Sequence, residues 1–314
     1  MDKLIKGIVK EIAGILFFWP IIPFLLHRKV KKESILLVLN YHNFSSYSNY
    51  FFKRGQILDV SFAKRFERQV RFLRRHFNFV TPEDFINQKP SGISIHLTFD
   101  DGYRDNFDIA FPILKKYNVK ATFFLATGFV NSSDWLWHDK ARYLVSRAKL
   151  AEEEVESLLR KMNQGGEIPK TFIEMVNTLF DDFFGDQTPR LMVNWDEVKL
   201  MRREGFEIAP HTHSHLVLDS LPRAIQKAEI LNSVLAIKNN LGYTPKSFAY
   251  PNGRYNKTTL SVLKEINILE YGFNTEFGHN YTIDNLLEFK RVGVNPSDPV
   301  GFVILKIVKS LITK

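Results

Sequence analysis

The chain reads as an α/β protein, a parallel sheet with helices packed outside it. Three observations point there. Short apolar runs of strand length alternate with longer segments of helical periodicity through most of the sequence. The polar motifs stand directly after apolar runs, where a parallel sheet presents its C-terminal edge. With 314 residues, 45% of them hydrophobic, the chain can bury a sizeable core.

The elements follow in order. Residues 35–40 form the first core strand. Phe62, Phe66, Val70 and Leu73 recur at helical spacing and predict a helix over 62–75. The alternation Ile93, Ile95, Leu97 predicts a strand over 93–99. A helix over 106–116 carries Pro112 as a kink. Residues 121–126 are a strand. Residues 141–184 are mostly helical and charged, with a break at Gly165-Gly166, and 141–190 is longer than strand–helix alternation needs. It reads as a helical insertion. A helix (195–204), a strand (206–209), a helix (223–240), a strand (247–250), a helix (258–265) and two strands (271–274, 289–294) complete the pattern. No internal repeat is apparent.

Two clusters carry chemistry. Residues 98–103 read Thr-Phe-Asp-Asp-Gly-Tyr at a strand end. Two adjacent carboxylates there must be hydrogen-bonded, paired or metal-bound, or burial neutralises them. His211-Thr-His213-Ser-His215 follows a second short apolar stretch. On a helical turn, i and i+4 share a face, so His211 and His215 can grip one ion if the chain is helical there. Two imidazoles and one carboxylate suit catalytic zinc. They also suit non-haem iron, so ligand type leaves the metal open.

These residues resemble the polysaccharide deacetylase family (NodB-homology, carbohydrate esterase family 4). Thr98 to Gly102 matches its first motif, T-F-D-D-G, and His211 to His215 its second, H-[S/T]-x-x-H. Phe248-Ala249-Tyr250-Pro251-Asn252-Gly253 stands at its third, R-P-P-Y-G. Leu39 to His42, Ala121 to Phe124 and Trp195 to Val198 are also similar to family members. The resemblance implies a distorted, incomplete (β/α) barrel over about 34–300 with the helical insertion. It implies Asp101, His211 and His215 as ligands of a divalent ion, most simply Zn2+, and Asp100 as general base. It implies that the backbone N–H of Asn252 holds the oxyanion. His42, Tyr103, Tyr250 and Pro251 flank the motifs as substrate contacts. His213, at an x position, is expected off the metal.

Two departures stand out. Ala249 replaces the third-motif arginine, and Arg291, at the end of the last strand, is the expected substitute, ahead of Arg254. The late Leu-x-His motif that supplies a general acid is not visible. His279, the one histidine after residue 215, is the candidate for that role. Trp135, Trp137 and His138 could form a sugar-stacking wall or core.

The ends are basic. Net charge is +9, and the chain has no cysteine for disulfides or thiolate ligands. The apolar run 12–26 is short for a span, carries Pro20 and Pro23, and is flanked by lysines and arginines. Residues 1–33 therefore read as a peripheral or monotopic membrane anchor. Residues 301–314 read as a basic amphipathic helix that joins it at the membrane, or else packs on the core. No nucleic-acid motif accompanies the charge. The expected activity is N-deacetylation of a cell-envelope glycan or lipid-linked sugar. Sugar deformylation, O-acetyl esterase activity and non-catalytic glycan binding are the alternatives.

Overall fold

The computed structural model describes residues 33–44, 60–147, 149–163, 169–184, 188–281 and 285–313. The expected anchor over 12–26 lies outside the described residues. At the centre is β1 (Ser34–Tyr41), buried at seven of its eight positions. Burial on both faces is why it reads as a continuous apolar run rather than an alternating one. It pairs in parallel with β3 (Gly92–Phe99), Leu39 opposite Leu97 and Tyr41 opposite Phe99. β3 pairs in turn with β4 (Ala121–Leu125), and β4 with β5 (Glu207–Pro210). The two-residue strand β2 (Asn78–Phe79) joins β3, and β8 (Val292–Gly293) joins the far side of β1. β6 (Ser247–Ala249) and β7 (Tyr271–Phe273) form a separate parallel pair. A parallel bridge, Phe273 to Phe289, ties β7 to the segment entering β8. Among the described residues no ladder links β5 to β6. The result is the distorted, unclosed barrel that the resemblance implies.

Helices cover this sheet. α1 (Val60–His76) sends Phe66, Val70 and Leu73 into the main core with Leu37, Leu39, Ile95, Leu97 and Phe123. Each such side chain, fully buried, contributes about 1.5–3 kcal/mol. α2 (Pro82–Gln88) starts at a Thr81 cap whose hydroxyl accepts from Asp84 N–H. Over 106–116 the expected single helix divides. A π-turn, Asn106–Ala110, leads directly into α3 (Phe111–Lys116), and Pro112, which lacks an N–H to continue the ladder, stands where the one gives way to the other.

The insertion is three helices, α4 (Trp137–Ser146), α5 (Glu152–Asn163) and α6 (Lys170–Phe184), with a core of their own that includes Trp135, Tyr143, Val155, Val176 and Phe180. α7 (Trp195–Arg203) begins at an Asn194–Glu197 capping box. α8 (Arg223–Leu241) ends at Gly242, and α9 (Lys257–Ile266) starts at Asn256.

The terminal helix α10 (Val300–Ile312) follows the second of its two expected readings, packing on the core. Its apolar face is already covered, because Val303 and Ile307 belong to the main core and the helix packs on α1. Lys306 pairs with Asp298 at 2.8 Å, so its charge answers an internal partner. Among the described residues no helix is long and apolar enough to cross a membrane.

Candidate active site

The strands deliver the polar motifs to one edge. Tyr41, Phe99 and Pro210 end β1, β3 and β5, and His42, Asp100 and His211 come next in the chain. After Asp100 the chain turns sharply, with φ of 76° at Asp101 and 84° at Gly102. A side chain at Gly102 would meet Leu125 Cδ2 at 3.0 Å in a backbone region that disfavours it, so glycine is required there. The turn separates the two carboxylates, and each enters a different network.

Asp100 is 1% exposed. Its Oδ1 accepts from Arg291 Nη1 at 2.8 Å and its Oδ2 from Asn40 Nδ2 at 3.0 Å. Burial alone would raise its pKa. The Arg291 charge, then those of His211 and His42, hold it below the usual carboxylate value. Arg291 itself is 1% exposed, and its Nε donates to Asn274 O at 2.6 Å. The guanidinium expected from Arg291 therefore stands beside Asp100. Arg254 instead pairs with Asp219 at 2.9 Å.

Asp101 faces the histidines. Its Oδ1 lies 3.1 Å from His215 Nε2 and 3.5 Å from His211 Nε2. Among the described residues, these three offer ligand atoms all within 4.8 Å of one another. Burial raises the Asp101 pKa, but its hydrogen bond with His215 and the histidine charges bring it well below the ordinary value. Burial lowers His211 to about 4. His215 is raised in spite of burial, because it holds the shorter contact to Asp101. His211 Nδ1 donates to Ala249 O at 2.8 Å, which leaves the Nε2 lone pair free. Once His215 gives up the Nε2 proton it shares with Asp101, two Nε2 lone pairs and one carboxylate oxygen on a single point fit a divalent ion.

The loop carrying the histidines is not helical, contrary to the condition set for an i, i+4 grip. Thr212 and His215 have φ of 62° and 56°, and these left-handed turns bring the two imidazoles together instead. His213 is off this point, with Nδ1 3.0 Å from Thr127 Oγ1.

Three expected substrate contacts are corrected. Tyr250 is fully buried, stacks on Tyr255 and donates to Leu287 O at 2.9 Å, so its ring is core. Pro251 is buried as well. Tyr103 is 2% exposed and donates to both Asp139 oxygens, at 3.1 and 3.0 Å. His42 fits the expectation geometrically, with its side chain 52% exposed and Nε2 3.8 Å from Asp100 Oδ2. Asn252 sits in the turn after β6 with φ 55°, a conformation that asparagine tolerates. His279 is corrected as well. Its Nδ1 bonds Ser310 O at 2.6 Å, and its neighbour Asn280 pairs with Leu36 near the start of β1. At about 3.3 Å per residue, that is some 16 Å along the strand from Tyr41 and the Asp100 edge.

Two further residues stand against the site, Asn40, to which sequence reasoning assigned no role, and His138, expected in a sugar-stacking wall or the core. Asn40 links Asp100 and Arg291, its Oδ1 accepting from Arg291 Nη1 at 3.0 Å. Its signal was a lone asparagine closing an apolar strand, because such a buried amide needs partners. His138, at the start of α4, comes from the insertion. Its ring centre is 5.6 Å from that of His215, and burial first, then the His215 charge, lowers its pKa to about 3. Trp135 is core, with its indole N–H donating to Pro189 O at 2.7 Å.

Fold and site together define a class, an open α/β barrel with a carboxylate–histidine cluster suited to a divalent ion at the C-terminal edge of its strands. The chain belongs to the polysaccharide deacetylase family, whose profile matches residues 87–270. It is similar to the poly-beta-1,6-N-acetyl-D-glucosamine N-deacetylase of Staphylococcus aureus (strain MSSA476), 27% identical over 271 residues, 79% of this chain and 75% of that protein. Two solved structures share the fold. Streptococcus pyogenes deacetylase PplD, in complex with acetate, aligns with TM-score 0.61 and 21% identity over 90% of this chain and 100% of that one. IcaB from Ammonifex degensii aligns with TM-score 0.57 and 22% identity over 88% of this chain and 98% of that one.

Proposed function

We propose that the protein is a metal-dependent hydrolase that removes acetyl groups from the amino sugars of an N-acetylglucosamine polysaccharide. The observation that carries this reading is the division of labour between adjacent carboxylates, Asp101 turned to two histidines and Asp100 to Arg291. The similarity to a poly-N-acetylglucosamine N-deacetylase supports the substrate class.

Asp101, His211 and His215 would hold the ion, Zn2+ being the simplest choice for this ligand set. When bound, it supplies Lewis-acid polarisation of the acyl carbonyl and of the attacking water. Asp100 takes the proton of that water. Arg291 and Asn40 keep Asp100 ionised and oriented, since an opposite charge favours the anion. The backbone N–H of Asn252 would hold the developing oxyanion, a role that survives the exchange of tyrosine for asparagine because the donor is main chain. His42, half-exposed beside Asp100, gives a proton to the leaving nitrogen. Residues 1–33 attach the protein to a membrane surface. α10 turns Val303 and Ile307 into the core rather than toward that surface.

The test is acetate release from oligomers of poly-β-1,6-N-acetylglucosamine by purified protein loaded with Zn2+, Co2+ or Mn2+. Acetate from these oligomers, lost on chelation and restored by metal, is the expected result. Release from acetylated xylan alone would favour an O-acetyl esterase, and formate from a formylated lipid-linked sugar a deformylase. No release from any of them would sink the hydrolase reading. Flotation with anionic liposomes tests attachment, and a chain lacking residues 1–33 should stay at the bottom of the gradient.

A further inference from the structure

The histidine loop is gripped from both sides. On one side is Glu229 of α8, a carboxylate only 8% exposed that the chemistry above does not use. A single oxygen, Oε2, accepts from the backbone N–H of His213 at 3.0 Å and of Ser214 at 2.7 Å. On the other side is the turn after β4. There Thr127 N–H donates to Thr212 O at 3.2 Å and Gly128 N–H to His213 O at 2.8 Å. A side-chain carbon at Gly128 would come within 2.8 Å of His213 O, so glycine permits this close approach. Between the two clamps, Thr212 and His215 occupy left-handed backbone. Non-glycine residues stay there only where the surroundings over-determine them.

We propose that Glu229 is a positioning residue for the divalent ion. By accepting from two successive amides, it fixes the turn that brings Nε2 of His211 and His215 to one point. The inference rests on the reading of Asp101, His211 and His215 as the metal set. Successive backbone N–H groups form a concavity suited to an acceptor. Because one oxygen takes both bonds, what matters is an acceptor at that point and not the negative charge. Glu229→Gln keeps an oxygen there, whereas Glu229→Ala removes it.

The experiment compares the full-length wild type with Glu229→Ala, Glu229→Gln and Gln226→Ala. Gln226 lies on the same helix, is 1% exposed and bonds Leu221 O and Thr259 Oγ1 at 2.8 and 2.7 Å, so its loss loosens α8 without touching the loop amides. Two quantities are read, Zn2+ affinity by titration and hydrogen exchange of the His213 and Ser214 amides in metal-free protein. In Glu229→Ala, zinc affinity should fall roughly 10- to 100-fold, the usual effect of losing a group that orients a metal ligand. Both amides should exchange faster. Glu229→Gln should stay close to wild type in both, and Gln226→Ala should lose thermal stability while keeping both. Wild-type affinity and amide protection in Glu229→Ala would overturn the proposal. So would an equal loss in Gln226→Ala at matched stability, or Glu229→Gln falling as far as alanine. A wild type that binds no zinc would sink the metal reading, and amide exchange would still report separately whether Glu229 holds the loop.

Discussion

At the C-terminal edge of the sheet, Asp101, His211 and His215 turn their lone pairs toward one point. At the opposite edge, His96, Thr122 and Glu207 hydrogen-bond in a row. Both groups pair a buried imidazole with a carboxylate, drawn from β3 and β5 or from the turns after them. In the second, His96 Nδ1 lies 3.0 Å from Val80 O and Nε2 2.9 Å from Thr122 Oγ1, and that hydroxyl lies 2.7 Å from Glu207 Oε2. The three line a cavity of about 340 Å³ together with Lys120, Arg202 and Lys246. Burial lowers His96 to about 4 and raises Glu207. Residue type and a buried imidazole are therefore shared between the ends. The difference is where lone pairs remain after local hydrogen bonding is complete. At the lower edge His96 is closed on both nitrogens, by Val80 O and Thr122 Oγ1. At the upper edge His211 is closed on one nitrogen only, and its other nitrogen meets two more ligands.

The comparison can be broken most severely at the ligands. His215→Ala or Asp101→Asn should lose bound zinc and acetate release together, as measured by metal content and turnover. A metal-loaded, active variant would mean that the convergence of lone pairs has no function. Next in size is Asp100→Asn, which should lower turnover roughly 10²- to 10⁴-fold, the range of a general base. It should retain its metal, and loss of metal as complete as in Asp101→Asn would reverse the two roles.

Arg291→Met should then cost about 3–5 kcal/mol in denaturant unfolding, because it leaves Asp100 buried without its cation. In the wild type the folded pKa of Asp100 is depressed. Its stabilising contribution is present above the unfolded value of about 3.9 and is lost as pH falls through the lower folded value. Without Arg291 that pKa rises, so the acid limb of the pH–rate profile should move to higher pH. An unmoved limb would count against Asp100 as the titrating base.

At the lower edge the effect is on stability alone. His96 has a folded pKa of about 4, below its unfolded value, so its contribution is present above about pH 6.5 and is lost as pH falls toward 4. Glu207 acts in the opposite sense, since its raised pKa favours the fold at low pH and that help is lost as pH rises. His96→Gln should flatten the fall in Tm between about pH 6.5 and pH 4 and leave metal content unchanged. A slope as steep as the wild type's would mean that His96 is already charged there. The smallest effect belongs to His279→Ala. Bonded to Ser310 O, it should change neither zinc affinity nor turnover, and a large loss of turnover would return it to the site.

Much of this was legible beforehand because it is local. Apolar runs such as Ile35–Leu39 mark strands by composition alone, and Asp100, Asp101 and His211 are displayed simply by following strand ends. Arg291 was reached by the same adjacency to the last strand. Its 2.8 Å contact with Asp100, across 191 positions, could only come from the closing of the sheet. The order of residues leaves open which face of a turn is covered. Tyr103, Tyr250 and Pro251 flank the motifs in sequence, yet packing from the insertion and from α9 buries them. An apolar stripe at helical spacing looks alike whether lipid or core covers it, and α10 proved to meet the core. The sequence by itself determined the family, the order of strands and helices, and the chemical types at the site, because periodicity and adjacency are properties of neighbours along the chain. Tertiary structure alone decided the left-handed loop that joins His211 to His215, the bond of Asn40 to Asp100, and the approach of His138 from the insertion. Each of these depends on which distant surfaces exclude water from one another.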